Sequence, residues 1–281
     1  MFLSLLHVNV GNDPDRPAPG RSWLRDIYGV HQRLWMAFPD ARRSEKDPFF
    51  LATWEGPGVS EPKPKRSDAG FLFRIERDGQ PRILIQSAQW PDWEYAFQNA
   101  PYLLTSCDRL QFDPAPRLDQ AYRFRLLANV VTRKTAERAD GQMRTTRAGK
   151  TIHRRRRTDS IVRPDALPDP LPTAPAERQR VLRSRWNPWR EWLKRAAGRH
   201  GFAALETSES PLLMETVHCR VRNPGKGSGG SNRPMDQRFN GGLFEGVLVC
   251  TDAAKLRDAV VNGIGNGKAF GFGLLSVAPV Q

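Results

Sequence analysis

The sequence predicts an α+β chain built from two ferredoxin-like units in tandem, each with the order βαββαβ. Three observations carry this reading. Short apolar runs with period-two alternation, such as Phe71, Phe73 and Ile75, recur along the chain and read as strands. Helical spacing appears between them over Arg21–Pro39, Asp92–Gln98, Ala176–His200 and Asp252–Asn262. A length of 281 residues accommodates about two domains of ordinary size.

In the first unit, Phe2–Val10 alternates loosely and forms the opening strand, and Gly11–Gly20 is a Pro- and Asp-rich turn. Arg21–Pro39 reads as one helix. Leu24, Ile27, Leu34 and Phe38 share an apolar face, Ser22 is placed as the N-cap, and Pro39 stops the helix. Residues 39–69 are polar and rich in Pro, Lys and Arg, hence a long loop. Gly70–Arg77 and Arg82–Gln89 are strands joined by the Asp78-Gly79 turn. Asp92–Gln98 is a short helix, and Tyr102–Phe112 is the strand that completes the βαββαβ order.

The second unit opens with the strand Tyr122–Val131. Thr132–Arg163 is strongly basic and poor in apolar residues, so it reads as a loop that stays mobile without a polyanion. Pro164–Pro175 is a proline-rich linker. Ala176–His200 is a helix with Trp186, Trp189 and, less directly, Trp192 on one side, as core residues are, and Pro188 bends or divides it. Phe202–Arg222 holds strand material, Asn223–Asn240 is a hairpin-like tip, and Leu243–Cys250 is the strand beyond it. Thr251 or Asp252 caps the helix to Asn262, Gly263–Gly273 is glycine-rich, and Leu274–Val280 closes the unit. The two domains are expected at residues 1–118 and 119–281.

The net charge of +14 points to a polyanionic partner. Nucleic acid is favoured over membrane, because no apolar run approaches a membrane span and Phe2–Val10 is too short for a signal peptide and lacks a basic leader. Cys107, Cys219 and Cys250 have no metal-ligand spacing, which argues against structural zinc and a disulfide framework and for the reducing cytoplasm. Lys150 and the run Arg154, Arg155, Arg156 and Arg157 lie on one predicted loop. Arg220, Arg222, Lys226, Arg233 and Arg238 lie on another. Either these are phosphate-binding segments, with affinity that falls steeply as salt rises, or they are solvated loops.

Two stretches carry candidate chemistry. Tyr28 and His31 stand three residues apart, so on a helix they are neighbours beside Trp35 at the edge of the apolar face. Such a pair presents a proton-transfer group to a ligand, or the histidine simply packs. The run Gly263–Gly273 has a helix before it and a strand after it, the reverse of a dinucleotide-binding fingerprint, and Ala269 after Gly267-Lys268 excludes a P-loop. It is either a flexible connection or a place where main chain approaches phosphate closely, with Gly265, Gly267, Lys268 and Gly271 as contacts. The remaining histidines are weaker candidates: His153 heads the arginine run, and His200 is placed near a helix C-terminus that favours its cation. No Ser-His-Asp order and no carboxylate cluster suited to a metal nuclease is legible.

These residues resemble a known family. Asp26-Ile27-Tyr28-Gly29-Val30-His31-Gln32-Arg33-Leu34-Trp35 with Phe38-Pro39 is similar to the helix of the CasE (Cse3) family, the CRISPR RNA-processing endoribonucleases of type I-E systems. Gln86–Gln89, Tyr122–Asn129, Leu243–Gly246 and Gly263–Ser276 match the family in order along the chain. Leu127, Val130 and Asn266 depart from its common Arg, Pro and Pro. The resemblance implies two RRM-related, RAMP-type ferredoxin-like domains. It implies a CRISPR repeat RNA hairpin as substrate, cut at the base of its stem, and other subunits of the Cascade complex as partners. It also implies cleavage without a metal or small-molecule cofactor, leaving a 5′-hydroxyl and a 2′,3′-cyclic phosphate, with His31 as general acid or base and Tyr28 in support. A non-catalytic RNA-binding subunit and a DNA-binding protein are the alternatives that the composition leaves open.

Overall fold

The computed structural model describes residues 1–11, 19–38, 70–135, 144–145, 151–152, 157–207, 209–223 and 235–280. The first unit comprises β1 (Phe2–Val8), α1 (Pro19–Arg25), α2 (Ile27–Trp35), β2 (Phe71–Glu76), β3 (Arg82–Ser87), α3 (Trp93–Phe97) and β4 (Leu104–Gln111). Its sheet runs β2-β3-β1-β4 with every neighbouring pair antiparallel. Two helical crossovers that each step over one strand produce this order, as the βαββαβ reading requires. Ser4, Leu6 and Val8 alternate on the buried face of β1, and α2 adds Ile27, Val30 and Leu34 to the same core. Asp92 caps α3 by accepting from the Tyr95 N–H at 3.0 Å.

The helix expected over Arg21–Pro39 is two helices. Asp26 leaves helical geometry at φ −104° and ψ 89°, so the chain breaks between α1 and α2, and Ser22 lies inside α1 instead of capping it. Periodicity alone could not show this, because Leu24 and Ile27 both reach the core on either side of the break.

The second unit comprises β5 (Ala121–Ala128), β6 (Val131–Thr135), β7 (Arg144–Thr145), β8 (Thr151–Ile152), β9 (Arg157–Ile161), α4 (Pro175–Ser184), α5 (Asn187–Arg199), β10 (Phe202–Leu205), β11 (Leu213–Asn223), β12 (Met235–Cys250), α6 (Ala253–Asn262) and β13 (Leu275–Pro279). The main sheet runs β10-β12-β5-β13, with β11 also on β12. Strands β10 and β11 pair with successive stretches of β12, so together they occupy one edge position. The ferredoxin-like order therefore occurs twice.

Three readings need correction. Thr132–Arg163 is not simply a loop: β6 pairs β9 and β7 pairs β8, both antiparallel. Thr132 and Ile161, with Val131 just before the span, are β-branched, as strand residues often are. The tip expected over Asn223–Asn240 is shorter, because β12 begins at Met235 and the ladder reaches Asn223 opposite Met235. Gly241 and Gly242 hid that strand; a Cβ on Gly241 would lie 2.3 Å from the Phe272 ring, so glycine there is demanded by packing. His200 follows α5, but burial above all, and then Arg199, push its pKa down against Asp258, so on balance its cation is disfavoured there. As expected, the Ala176–His200 helix is divided, with Pro188 inside the first turn of α5.

By contact density the chain divides into Met1–Asn129 with Ala197–Gln281, which holds both main sheets, and Val130–Ala196. In the latter, Trp189 and Trp192 are core residues, donating from Nε1 to Val162 O and Val131 O, both at 3.0 Å. Among the described residues no helix is long and apolar enough to cross a membrane.

Candidate active site

Helix α2 buries Ile27, Val30 and Leu34 and turns the adjoining stripe, Tyr28, His31 and Trp35, toward a cleft of about 840 Å³. The His31 ring is held from below by β2. It stacks on Phe71 at 5.3 Å between centroids and 19° between planes, and on Phe73 at 6.1 Å. Trp35 lies 6.0 Å away on the same helix. The histidine is thus half-buried, with an aromatic floor and an open side. This arrangement fixes the ring's orientation while leaving it access to a ligand.

The opposite wall comes from the glycine-rich connection between α6 and β13. Gly267 and Gly271, both at φ +81°, bracket a single 3₁₀ turn over Lys268–Phe270. Left-handed backbone at both ends lets the chain reverse twice within a few residues. The connection is hydrogen-bonded along its length: Ile264 N–H donates to Gly273 O at 2.8 Å, Phe270 N–H to Gly267 O at 2.8 Å, and Gly273 N–H to Leu127 O at 2.7 Å. In this fold the connection is a hydrogen-bonded turn. Lys268, exposed, donates to Asn262 O at 2.5 Å, and Phe270 stacks on Phe239 of β12 at 4.8 Å. Lys268 is the one cationic side chain among the described residues that line the cleft.

The structure therefore brings Tyr28, His31 and Lys268 to one cavity, although Lys268 is distant in sequence from the helix. Gly265 is exposed with open space where a Cβ would be, whereas Gly271 is buried, its Cβ position 3.3 Å from the Phe73 ring. Gly271 thus supports the turn from beneath. Arg157 lies on β9, and Arg220 and Arg222 lie on β11. Lys150, Arg154, Arg155, Arg156, Lys226 and Arg233 lie outside the described residues. No other described histidine lines the cleft: His7 pairs with Asp108 at 3.0 Å across β1 and β4, and His218 sits on β11 opposite Asn240. Among the described residues no three His, Cys, Asp or Glu side chains gather into a metal-binding cluster.

Sequence reasoning placed Trp35 beside the pair but missed Phe71 and Phe270, which complete the aromatic lining of the cleft. The alternation Phe71-Leu72-Phe73 gave the strand; which of its faces carries the histidine depends on the crossover and is not written in the alternation.

A family model described as "CRISPR associated protein" matches residues 1–279. The chain is 27% identical to the CRISPR system Cascade subunit CasE of Escherichia coli, over 92% of this chain and 96% of that protein. It is likewise 27% identical to the CRISPR-associated endoribonuclease Cse3 of Thermus thermophilus, over 85% of this chain and 93% of that one. A solved structure of the CRISPR endoribonuclease Cse3 bound to a 19-nucleotide RNA superposes with a TM-score of 0.58 at 25% identity, covering 99% of this chain and 100% of the other.

Proposed function

The chain belongs to the CRISPR associated protein family, and from that premise we propose that it is a CRISPR RNA-processing endoribonuclease of the CasE/Cse3 type. Its substrate is the repeat hairpin of a CRISPR precursor transcript, cut at the base of the stem, and it keeps the product for a Cascade complex in the cytoplasm. Residues 1–118 and 119–281 are its two ferredoxin-like domains.

The observation that carries this reading is the convergence of Tyr28, His31 and Lys268 on one cleft. The ribose 2′-oxygen attacks the adjacent phosphorus and loses its proton, and the 5′-oxygen departs and gains one. The products are a 2′,3′-cyclic phosphate and a 5′-hydroxyl. An imidazole, with an ordinary pKa near 6.5, serves as acid or base at neutral pH, and the stacked floor under His31 holds it in line. Tyr28 orients the ribose or phosphate by a hydrogen bond. Lys268, facing the same space, balances the charge that builds on the phosphoryl oxygens. The chemistry needs no metal, because these groups supply proton transfer and charge stabilisation and the bound hairpin supplies alignment.

The test is cleavage of the repeat hairpin in EDTA, with and without a single 2′-deoxy at the scissile nucleotide. The enzyme cuts the RNA and binds the deoxy form without cutting it. His31→Ala binds within about threefold of the wild type and loses about 10²- to 10⁴-fold in cleavage rate. A His31→Ala protein that cuts at the normal rate overturns the assignment. A wild type that binds both hairpins and cuts neither is a non-catalytic RNA-binding subunit, and preference for duplex DNA would make it a DNA-binding protein.

A further inference from the structure

We propose that Arg74 and Gln86 are positioning residues that clamp the two ends of the glycine-rich turn and so set the gap between Lys268 and His31. The proposal rests on the endoribonuclease reading above.

The two residues stand on adjacent strands. In the β2–β3 ladder Leu72 is opposite Gln86 and Arg74 is opposite Leu84. Alternation sends Phe71 and Phe73 to the face that carries the His31 ring, and sends Leu72 and Arg74 to the other face. On that second face, Gln86 is 2% exposed and donates from Nε2 to Val260 O at 2.5 Å and Val261 O at 3.2 Å, near the end of α6. The turn begins there. Arg74 is 3% exposed and donates from Nη1 to Leu274 O at 3.1 Å and from Nη2 to Ser276 Oγ at 3.0 Å. The turn ends there. Between them, Leu72 fills the place where a Cβ on Gly263 would be, 2.7 Å from its Cδ1. One short piece of sheet thus carries the histidine's floor on one side and grips both ends of the opposing wall on the other.

The remaining donors of Arg74 are used: Nε donates to Glu76 Oε1 at 2.7 Å, and Nη1 also to Arg125 O at 3.0 Å. Glu76 in turn pairs with Arg125, which also holds Asp78 at 2.7 Å and Glu245. Burying a guanidinium is costly, and an apolar side chain of equal volume often packs at least as stably. What an apolar side chain lacks is direction. Carbonyls held at fixed donor positions fix the turn along and across the sheet, and a displacement of about 1 Å at a reacting centre costs on the order of a hundredfold in rate.

The experiment uses the full chain with Arg74→Met and Gln86→Met, which keep approximate volume and remove the donors, and Arg74→Lys as the conservative variant. Three quantities are read: affinity for the 2′-deoxy hairpin, single-turnover cleavage of the bound RNA hairpin, and hydrogen exchange of residues 263–275 against residues 27–35. Each Met variant should bind within about threefold of the wild type, cut roughly ten- to a hundredfold more slowly, and exchange faster over 263–275 alone, with Arg74→Lys between. Unchanged exchange over 263–275, or loss of binding and cleavage in equal measure, overturns the clamp. So does a Met variant that loosens the turn yet cuts at the wild-type rate. A wild type that does not cut, or a His31→Ala that does, instead overturns the endoribonuclease reading, and the exchange measurement still decides the clamp. Should Arg74→Met not fold, Gln86→Met carries the same decision.

Discussion

Gly263→Ala offers a measure of how tightly the turn is seated. Gly263 ends α6 at φ +72° and ψ 166°, a region in which a residue with a Cβ is strained by about 1–3 kcal/mol. The added methyl would stand 2.7 Å from Leu72 Cδ1 and 2.8 Å from Gly273 O. The leucine tip can rotate away; the carbonyl cannot without releasing the Ile264 N–H that it accepts at 2.8 Å. Losing that bond costs about 0.5–1.5 kcal/mol. The total is about 2–4 kcal/mol, or roughly 4–15 °C of melting temperature for a protein of this size. Gly265→Ala is the control. Its φ of +82° carries backbone strain of about 1–2 kcal/mol, but nothing lies within 4 Å of the new methyl. Thermal unfolding followed by circular dichroism should therefore rank wild type above Gly265→Ala, and Gly265→Ala above Gly263→Ala. Gly263→Ala should also slow hairpin cleavage, since Lys268 rides on the displaced segment. If Gly263→Ala melts at or above Gly265→Ala, the close seating of the turn against β2 is wrong.

Two further outcomes follow from ionisation. Burial, with Asp108 adding to it and Arg109 opposing it, raises the Cys107 thiol from 9.0 to about 11. Its thiolate population near pH 8 is then about a hundredfold below that of an unperturbed thiol, so iodoacetamide should label Cys107 about a hundredfold more slowly in the folded than in the unfolded chain. Labelling at equal rates would contradict that environment. The lowered pKa of His200 means that folding favours its neutral form. The stability this provides is whole above the unfolded value of about 6.5 and is lost as the pH falls from there through the folded pKa. The melting temperature of His200→Gln should accordingly fall less than that of the wild type between pH 7.5 and pH 5.5; an equal fall in both would remove His200 from the acid response.

What the sequence made legible was periodicity and punctuation. The alternation in Phe71–Ile75 and Tyr122–Leu126, the Asp78-Gly79 turn and the Asp252 cap located their elements, and the twofold βαββαβ order followed. The Tyr28 and His31 spacing located one wall of the cleft. Hidden were features that depend on what the chain packs against. Asp26 breaks a helix whose apolar face continues across the break. Val131–Thr135 and Arg157–Ile161 form an antiparallel pair that a reading by hydropathy passes over. The contacts of Arg74 and Gln86 are not written in the strand pattern, because only the folded chain brings the carbonyls of Leu274 and Val260 to them.

The duplicated topology explains why the site needs both halves of the chain. At the position of α2 the second repeat has α5, whose Trp189 and Trp192 are buried and which carries neither histidine nor tyrosine. At the position of the glycine-rich turn, between second helix and last strand, the first repeat has only Gln98–Leu103, with a 3₁₀ turn at Pro101–Leu103 and neither glycine nor lysine. Each repeat thus carries one half of the cleft and has the other half filled or plain. A rigid helix suits a histidine that must hold one orientation. A glycine turn suits a backbone that must come close to phosphate, and it becomes precise only when something outside it fixes its ends. In this molecule the sheet of the first repeat does both, with Phe71 and Phe73 under the histidine and Arg74 and Gln86 at the ends of the turn. The two walls therefore share one reference, the β2–β3 pair, which touches the histidine on one face and the ends of the turn on the other.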